Sequence, residues 1–255
     1  MCGFVGKTVL ITGASGGIGS AVARRFARSG VATILLHCNK NVGVVRELAV
    51  EILALGVKVE IFVADFHEQT DLERFIFDVT NKFSRIDILV NAVGADLMVP
   101  ANSCRSFEER LFSIFGLDVF ATIRVSRRIC DLMKEHEGGT IFFFGWDGVE
   151  YGWSGETAQL YGAAKGAIQG FARSLAETVS PLIRIRSISL GWIRTSWGAK
   201  SDENFTKRVQ NDSLMERWGE PCEIAESVVF LASESANYFD GTNIRLNGGK
   251  RGTRK

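Results

Sequence analysis

The chain has 255 residues, 46% of them hydrophobic and 23% charged, with a formal net charge of +1. That length and apolar content suit one large α/β domain with a sizeable core, and the near-neutral balance gives a nucleic-acid partner no footing. Residues 1–6 are too few for a signal peptide and no apolar run reaches the ~18 residues of a membrane span, so a cytoplasmic protein without a membrane partner is expected.

Five scattered cysteines (Cys2, Cys38, Cys104, Cys130, Cys222) show no spacing that would hold a metal. They read as reduced thiols of an intracellular chain. The tail Lys250, Arg251, Arg254, Lys255 reads as solvated charge.

In chain order, 7–12 is a β-rich run that ends in glycines. Residues 20–29 carry Val22 and Phe26 on one helical face, with Gly30 as the stop. A second buried strand follows over 33–38, then a helix over 44–55 that Gly56 ends. The alternation continues through strand 57–64, helix 68–83, strand 86–93, a long helix over 107–136, strand 140–145, helix 157–180 and strand 183–190. Nearly continuous apolar strands alternating with helices predict a Rossmann-type doubly wound parallel sheet of about seven strands, covered on both faces. Without a linker or repeat, residues 1–255 form one domain. An irregular polar stretch over about 192–216 is expected to form a loop over the substrate site.

The first turn, Thr12-Gly13-Ala14-Ser15-Gly16-Gly17-Ile18-Gly19, lies between a strand and a helix. Gly13 suits a tight turn, Gly17 a backbone close to a pyrophosphate, and Gly19 close helix–strand packing. The helix N-terminus then offers free N–H groups to phosphate. At the end of the second strand, His37-Cys38-Asn39-Lys40 holds no acid to bond a ribose diol. Lys40 suits a 2′-phosphate and Asn39 can donate to it, so NADP(H) is favoured over NAD(H).

With Tyr161-x-x-x-Lys165 on a later helix, the chain resembles the short-chain dehydrogenase/reductase family, most of all its 3-oxoacyl-[acyl-carrier-protein] reductases. The likeness runs from Gly6 to Gly249. It implies that Ser15, Gly17, Ile18 and Gly19 hold phosphates, and that Asp65 and Phe66 meet the adenine. Asn91-Ala92-Val93-Gly94 resembles the family's Asn-Asn-Ala-Gly, which makes Asn91, Ala92 and Gly94 cofactor contacts. Leu190-Gly191-Trp192-Ile193-Arg194-Thr195 resembles its Pro-Gly-x-x-x-Thr, with Ile193 and Thr195 at the carboxamide. By the same likeness Tyr161 is the acid, while Lys165 lowers its pKa and bonds the nicotinamide ribose.

Two of the family's groups are missing. Trp146 takes the place of the serine that donates to the developing oxyanion, a loss of ~10²–10³ in rate. Asp147, Tyr151 and Ser154 are its candidate replacements. Aligning the family's Asn-Leu-x-x-x-Phe on Phe120 puts Phe115 in the Asn place, with Asp118 the nearest polar side chain. Trp146, Trp153, Trp192 and Trp197 are expected to line an apolar substrate pocket.

The expected activity is NADP(H)-dependent reduction of a 3-oxoacyl thioester or other apolar ketone by a homo-oligomer (tetramer or dimer). Arg124, Arg127, Arg128 and Arg173 are candidates for docking a carrier-linked substrate. The alternatives are reduction of an enoyl C=C bond and a non-catalytic, cofactor-binding subunit.

Overall fold

The computed structural model describes residues 3–95, 97, 105–196 and 198–251. Its elements are β1 (Thr8–Thr12), α1 (Gly17–Arg28), β2 (Thr33–Cys38), α2 (Val42–Leu53), β3 (Lys58–Val63), α3 (Gln69–Lys82) and β4 (Ile88–Asn91). There follow α4 (Phe107–Ile114), a π-helical segment (Phe115–Ala121), α5 (Thr122–Lys134), β5 (Gly139–Trp146), a one-turn α6 (Gly148–Tyr151), α7 (Glu156–Val179) and β6 (Ile183–Leu190). Helices α8 (Glu203–Asp212) and α9 (Pro221–Ala232) precede β7 (Asn243–Leu246).

The seven strands form one sheet in the order β3-β2-β1-β4-β5-β6-β7, and every pairing is parallel. Successive side chains of a strand point to opposite faces, and in the central strands both faces are dry. Val9, Ile11, Ile34, Leu36, Ile88 and Val90 pack under α1, α2 and α9. Leu10, Leu35, Leu89, Ile141 and Phe143 pack under α3, α5 and α7. That is why β1, β2 and β4 read as nearly unbroken apolar runs, whereas the half-buried edge strands β3 and β7 do not.

The chain departs from the expected pattern in three places. The long helix over 107–136 is broken by the π-helical segment, just after which Thr122 Oγ1 donates back to the Leu117 carbonyl at 3.2 Å. The stretch expected to be irregular contains α8, capped by Asp202, which accepts from the Phe205 N–H at 2.7 Å. Phe205 and Val209 are the only apolar residues of that helix, too few to leave an apolar period in the sequence. Helix α9 starts on Pro221 with a capping box between Glu220 and Glu223, and β7 completes the sheet.

On β6 the guanidinium of Arg186 is fully buried. It donates to the Ala236 carbonyl at 2.9 Å and faces Asp240 at 3.4 Å, tying the sheet to the turn at Glu234–Phe239. Burial pulls its pKa down, against the attraction of Asp240. Arg186→Ala is therefore expected to destabilise the fold by about 1.5–3 kcal/mol, since it removes a buried charge-assisted hydrogen bond to the Ala236 carbonyl. Denaturant unfolding of the two proteins measures this directly.

Candidate active site

Strand order reverses between β1 and β4, and in open α/β sheets ligands bind at that switch point, outside the carboxyl ends of the strands. A cavity of about 730 Å³ opens there, reaching from Gly16–Gly19 past Asn91 and Gly94 to Tyr161, Lys165 and Thr195.

The glycine turn has no room for side chains. Gly13 sits at φ +69°, and a Cβ on it would lie 2.6 Å from the Ala92 carbonyl oxygen. One on Gly19 would lie 2.4 Å from the Gly13 carbonyl, and one on Gly17 would press Thr195 Cγ2 at 3.1 Å. Helix α1 begins here with no side-chain cap and no acid in its first turn. Its free N–H groups and positive dipole end suit a phosphate. The cradle thus fits a dinucleotide.

A residue that sequence reasoning passed over holds this turn in place. His37, 2% exposed, accepts the Gly13 N–H on Nδ1 at 3.2 Å and donates from Nε2 to the Ala64 carbonyl at 3.1 Å. The Ala14 N–H donates to the His37 carbonyl at 2.8 Å. Burial drives the His37 pKa down to about 4, so the ring is neutral, as the acceptor role of Nδ1 requires.

Of the expected cofactor residues, Gly17, Ile18, Gly19, Asn91, Ala92, Gly94, Ile193 and Thr195 line the cavity, whereas Gly13, Ser15, Asn39, Lys40, Asp65 and Phe66 do not. The Asn91 side chain is occupied structurally, donating to Ser126 Oγ at 2.9 Å and the Phe142 carbonyl at 3.1 Å. Asn39, Lys40 and Asp65 gather at the ends of β2 and β3. Burial alone would raise the Asp65 pKa. Hydrogen bonds from the His67 N–H and Asn39, with the charges of His67 and Lys40, outweigh that and lower it. The Phe66 ring stacks on His37 at 3.9 Å inside the core, which leaves only its backbone for an adenine.

Tyr161 and Lys165 project from α7 into the cavity. Tyr161 donates to the Ala95 carbonyl at 2.7 Å. The Lys165 ammonium lies 2.6 Å from Oδ1 of Asp118, whose side chain is fully buried, and Asp118 Oδ2 accepts the Ala95 N–H at 2.7 Å. This corrects the alignment on Phe115. That residue packs with the core, and the carboxylate facing the lysine comes from Asp118, turned inward by the π-helical segment. The sequence holds the signal, because Asp118 precedes Ile123 by five residues as Phe115 precedes Phe120.

Trp146 lines the cavity where a serine was expected, its ring edge-on to Tyr161 at 6.2 Å. Trp153 and Trp192 join it, 5.5 Å apart and edge-on to each other, with Phe205 beyond; Trp197 lies outside the described residues. Among the three candidate hydrogen-bond donors, only Ser154 lines the cavity. Asp147 is buried behind it, accepting from Asn247 at 3.1 Å; burial pushes its pKa up, against that bond and the Lys250 charge. Tyr151 is 48% exposed beside Arg245.

Sheet order, glycine turn and cavity place the chain in the Rossmann-type class. A family model described as enoyl-(acyl carrier protein) reductase matches residues 13–251. The acetoacetyl-CoA reductase of Allochromatium vinosum is 27% identical over 95% of this chain and 98% of its own. The 3-oxoacyl-[acyl-carrier-protein] reductase FabG of Thermotoga maritima is 29% identical over 96% and 97%, and the oxidoreductase UcpA of Escherichia coli 31% identical over 96% and 94%. A short-chain dehydrogenase/reductase from Serratia marcescens superposes with a TM-score of 0.86 at 24% identity, covering 96% of this chain and 98% of that one. The chain belongs to the short-chain dehydrogenase/reductase family, which binds NAD(P), and it is an oxidoreductase.

Two outcomes follow from this geometry. Because the folded pKa of His37 lies below the unfolded 6.5, the unfolded chain binds more protons between pH 6.5 and 4. Stability should fall by about 3 kcal/mol as pH drops through that window, at ~1.4 kcal/mol per unit. In His37→Gln this component should vanish, so unfolding midpoints measured from pH 7 to 4 converge. Separately, Asp118→Asn removes the charge that offsets Lys165, and the Tyr161 phenolate should then form at lower pH than in the unaltered protein. The chain has three tyrosines, so tyrosinate absorbance with Tyr161→Phe as reference resolves the shift. A merely structural Asp118 would leave the titration unmoved.

Proposed function

We propose that the protein is an NADP(H)-dependent carbonyl reductase, with Tyr161 as proton donor, Lys165 as its electrostatic support, and a 3-oxoacyl thioester or other apolar ketone as substrate. One observation carries the reading. Tyr161 and Lys165 line the same cavity as the glycine turn and an aromatic wall. The nicotinamide nucleotide supplies the hydride when bound. Gly17, Ile18 and Gly19, at the N-terminus of α1, would hold its phosphates, and Thr195, packed over Gly17, would bind its carboxamide.

The Tyr161 hydroxyl gives its proton to the substrate oxygen as negative charge develops there. In the free protein the hydroxyl donates that proton in a 2.7 Å hydrogen bond to the Ala95 carbonyl, which the substrate oxygen must displace. Lys165 stabilises the phenolate left behind, and Asp118 holds the ammonium in place while offsetting part of its charge. Ser154 is the residue for the second donor to the oxyanion, and Trp146, Trp153 and Trp192 exclude water from the reacting carbonyl.

Preference for the 2′-phosphate rests on Asn39 and Lys40, the polar pair at the end of β2, with no acid on that strand end. A short chain dehydrogenase from Burkholderia cenocepacia, whose structure contains NADP, shares the fold at 24% identity and a TM-score of 0.83. The finer substrate reading leans on the relatives named as acetoacetyl-CoA and 3-oxoacyl-[acyl-carrier-protein] reductases. Arg127 and Arg128 are exposed on α5, open to an acidic carrier, while Arg124 pairs with Glu73 at 3.1 Å.

Reduction of an enoyl C=C bond is the second reading. It is favoured by Trp146 in the serine place, since the charge then develops one bond farther from that position. A non-catalytic subunit would have no use for Tyr161 beside Lys165 in one cavity.

Titration with NADPH and NADH, followed by nicotinamide fluorescence, should show tighter NADPH binding. Lys40→Glu should remove that preference, because a carboxylate repels the 2′-phosphate. With acetoacetyl-CoA as substrate, Tyr161→Phe should lower turnover by about 10²–10⁴ while leaving NADPH binding intact. Faster NADPH oxidation with a 2-enoyl thioester would select the second reading, and no oxidation with either thioester would end both.

A further inference from the structure

Five charged side chains line the cavity: Arg110, Lys165, Arg208, Asp118 and Glu156. Each carboxylate is matched, Asp118 by Lys165 at 2.6 Å and Glu156 by Arg110 at 2.5 Å. That leaves one positive charge, Arg208, without an ion-pair partner among the described residues. Its guanidinium lies 4.5 Å over the Trp153 ring. The other cation over that ring, Lys250 at 4.6 Å, is already paired with Asp212 at 2.6 Å.

A guanidinium laid on an indole face keeps its N–H edge free and pre-aimed, a geometry that matches the two oxygens of a carboxylate or phosphate. A second observation points the same way. Arg110 is only 8% exposed and lines the same cavity, yet its Nε is buried without a hydrogen-bond partner. Its Nη2 is held by Glu156, and its Nη1 reaches Thr157 Oγ1 only at 3.4 Å. A buried donor left unmatched costs free energy, so this guanidinium at the cavity wall is incompletely satisfied by the protein alone.

Resting on the reductase reading of this cavity, we propose that its substrates carry an anionic group, a carboxylate or a phosphate, which Arg208 grips from the face of Trp153, with Arg110 lending a second donor. The aromatic wall takes the apolar body of the substrate and Arg208 fixes which end faces Tyr161. The site thus selects anionic ketones over neutral ones of the same shape.

The test uses the full chain with saturating NADP+, so that binding is read without turnover. Two matched pairs are titrated calorimetrically: 3-benzoylpropanoate against its methyl ester, and acetoacetyl-CoA against the acetoacetyl thioester of N-acetylcysteamine. The anionic member of at least one pair should bind about 10-fold or more tightly, the gain of a charge-assisted hydrogen bond. Arg208→Gln should erase that gap while leaving the neutral member within about two-fold, and Arg208→Lys should restore part of it. A gap in the first pair alone names a carboxylate, and in the second alone a phosphate.

No gap in either pair, no binding of either anionic probe, or a gap that survives in Arg208→Gln overturns the proposal. So does a variant that weakens NADP+ and spares the gap, since Arg208 would then serve the nucleotide. Arg208 is exposed on α8, so the variant should fold, and its melting temperature checks this. If the gap is found but NADPH is not oxidised by any of the four probes, the reductase reading fails and the anion subsite stands.

Discussion

The close approach of the glycine turn to its two neighbouring strands is the contact on which the rest of the site depends. Gly13 packs against the Ala92 backbone with no space for a Cβ, while its N–H is taken by the His37 ring. Thr12 Oγ1 reaches the Val90 carbonyl from the same turn, at 3.5 Å. Strands β1, β2 and β4 are thereby locked together where the strand order reverses, and that lock fixes where α1 begins. The helix N-terminus then faces the cavity with its N–H groups free. A neutral His37 is part of the lock, and the apolar core around it keeps it neutral.

From that frame the electrostatics of the cavity follow. A buried ion pair is a poor source of stability, because desolvating two charges offsets most of their attraction. The Asp118–Lys165 pair is better explained by placement. The π-helical segment rotates Asp118 inward, and the Ala95 N–H and the Lys165 ammonium fix its two oxygens separately. π-Bulges recur at functional sites for this reason: one added residue re-aims a side chain without ending the helix. Gly94 leaves the room needed, since a Cβ there would stand 3.2 Å from Asp118 Oδ1.

The cavity is thus built from two unlike halves. One is a rigid backbone surface of glycines and strand ends. The other is a layer of aromatic rings carried by α6, α8 and their connections, where Trp153, Trp192 and Phe205 meet edge to face. Edge-to-face packing helps these rings hold their shape, while Trp146 at the end of β5 and Trp192 just after β6 tie them to the sheet. Arg208 and Lys250 lie over the outermost ring and keep a polar surface on an otherwise apolar wall.

Much of this was legible in the sequence. Periodicity of the runs from Thr8 to Leu190 fixed strands, helices and a sheet covered on both faces, because burial on each side leaves its mark residue by residue. The glycines at 13, 17 and 19, the Tyr161–Lys165 spacing and the tryptophan at 146 were visible too, since each acts within one turn of chain. What only the tertiary structure decided were contacts between residues distant in sequence. His37 meets Gly13 across 24 positions and Asp118 meets Lys165 across 47, and neither pairing leaves a period to read. The break in the helix at Phe115 and the helix at Glu203 escaped for a related reason. A π turn and a helix with two apolar residues are stabilised by what they pack against, and local sequence carries little of that energy.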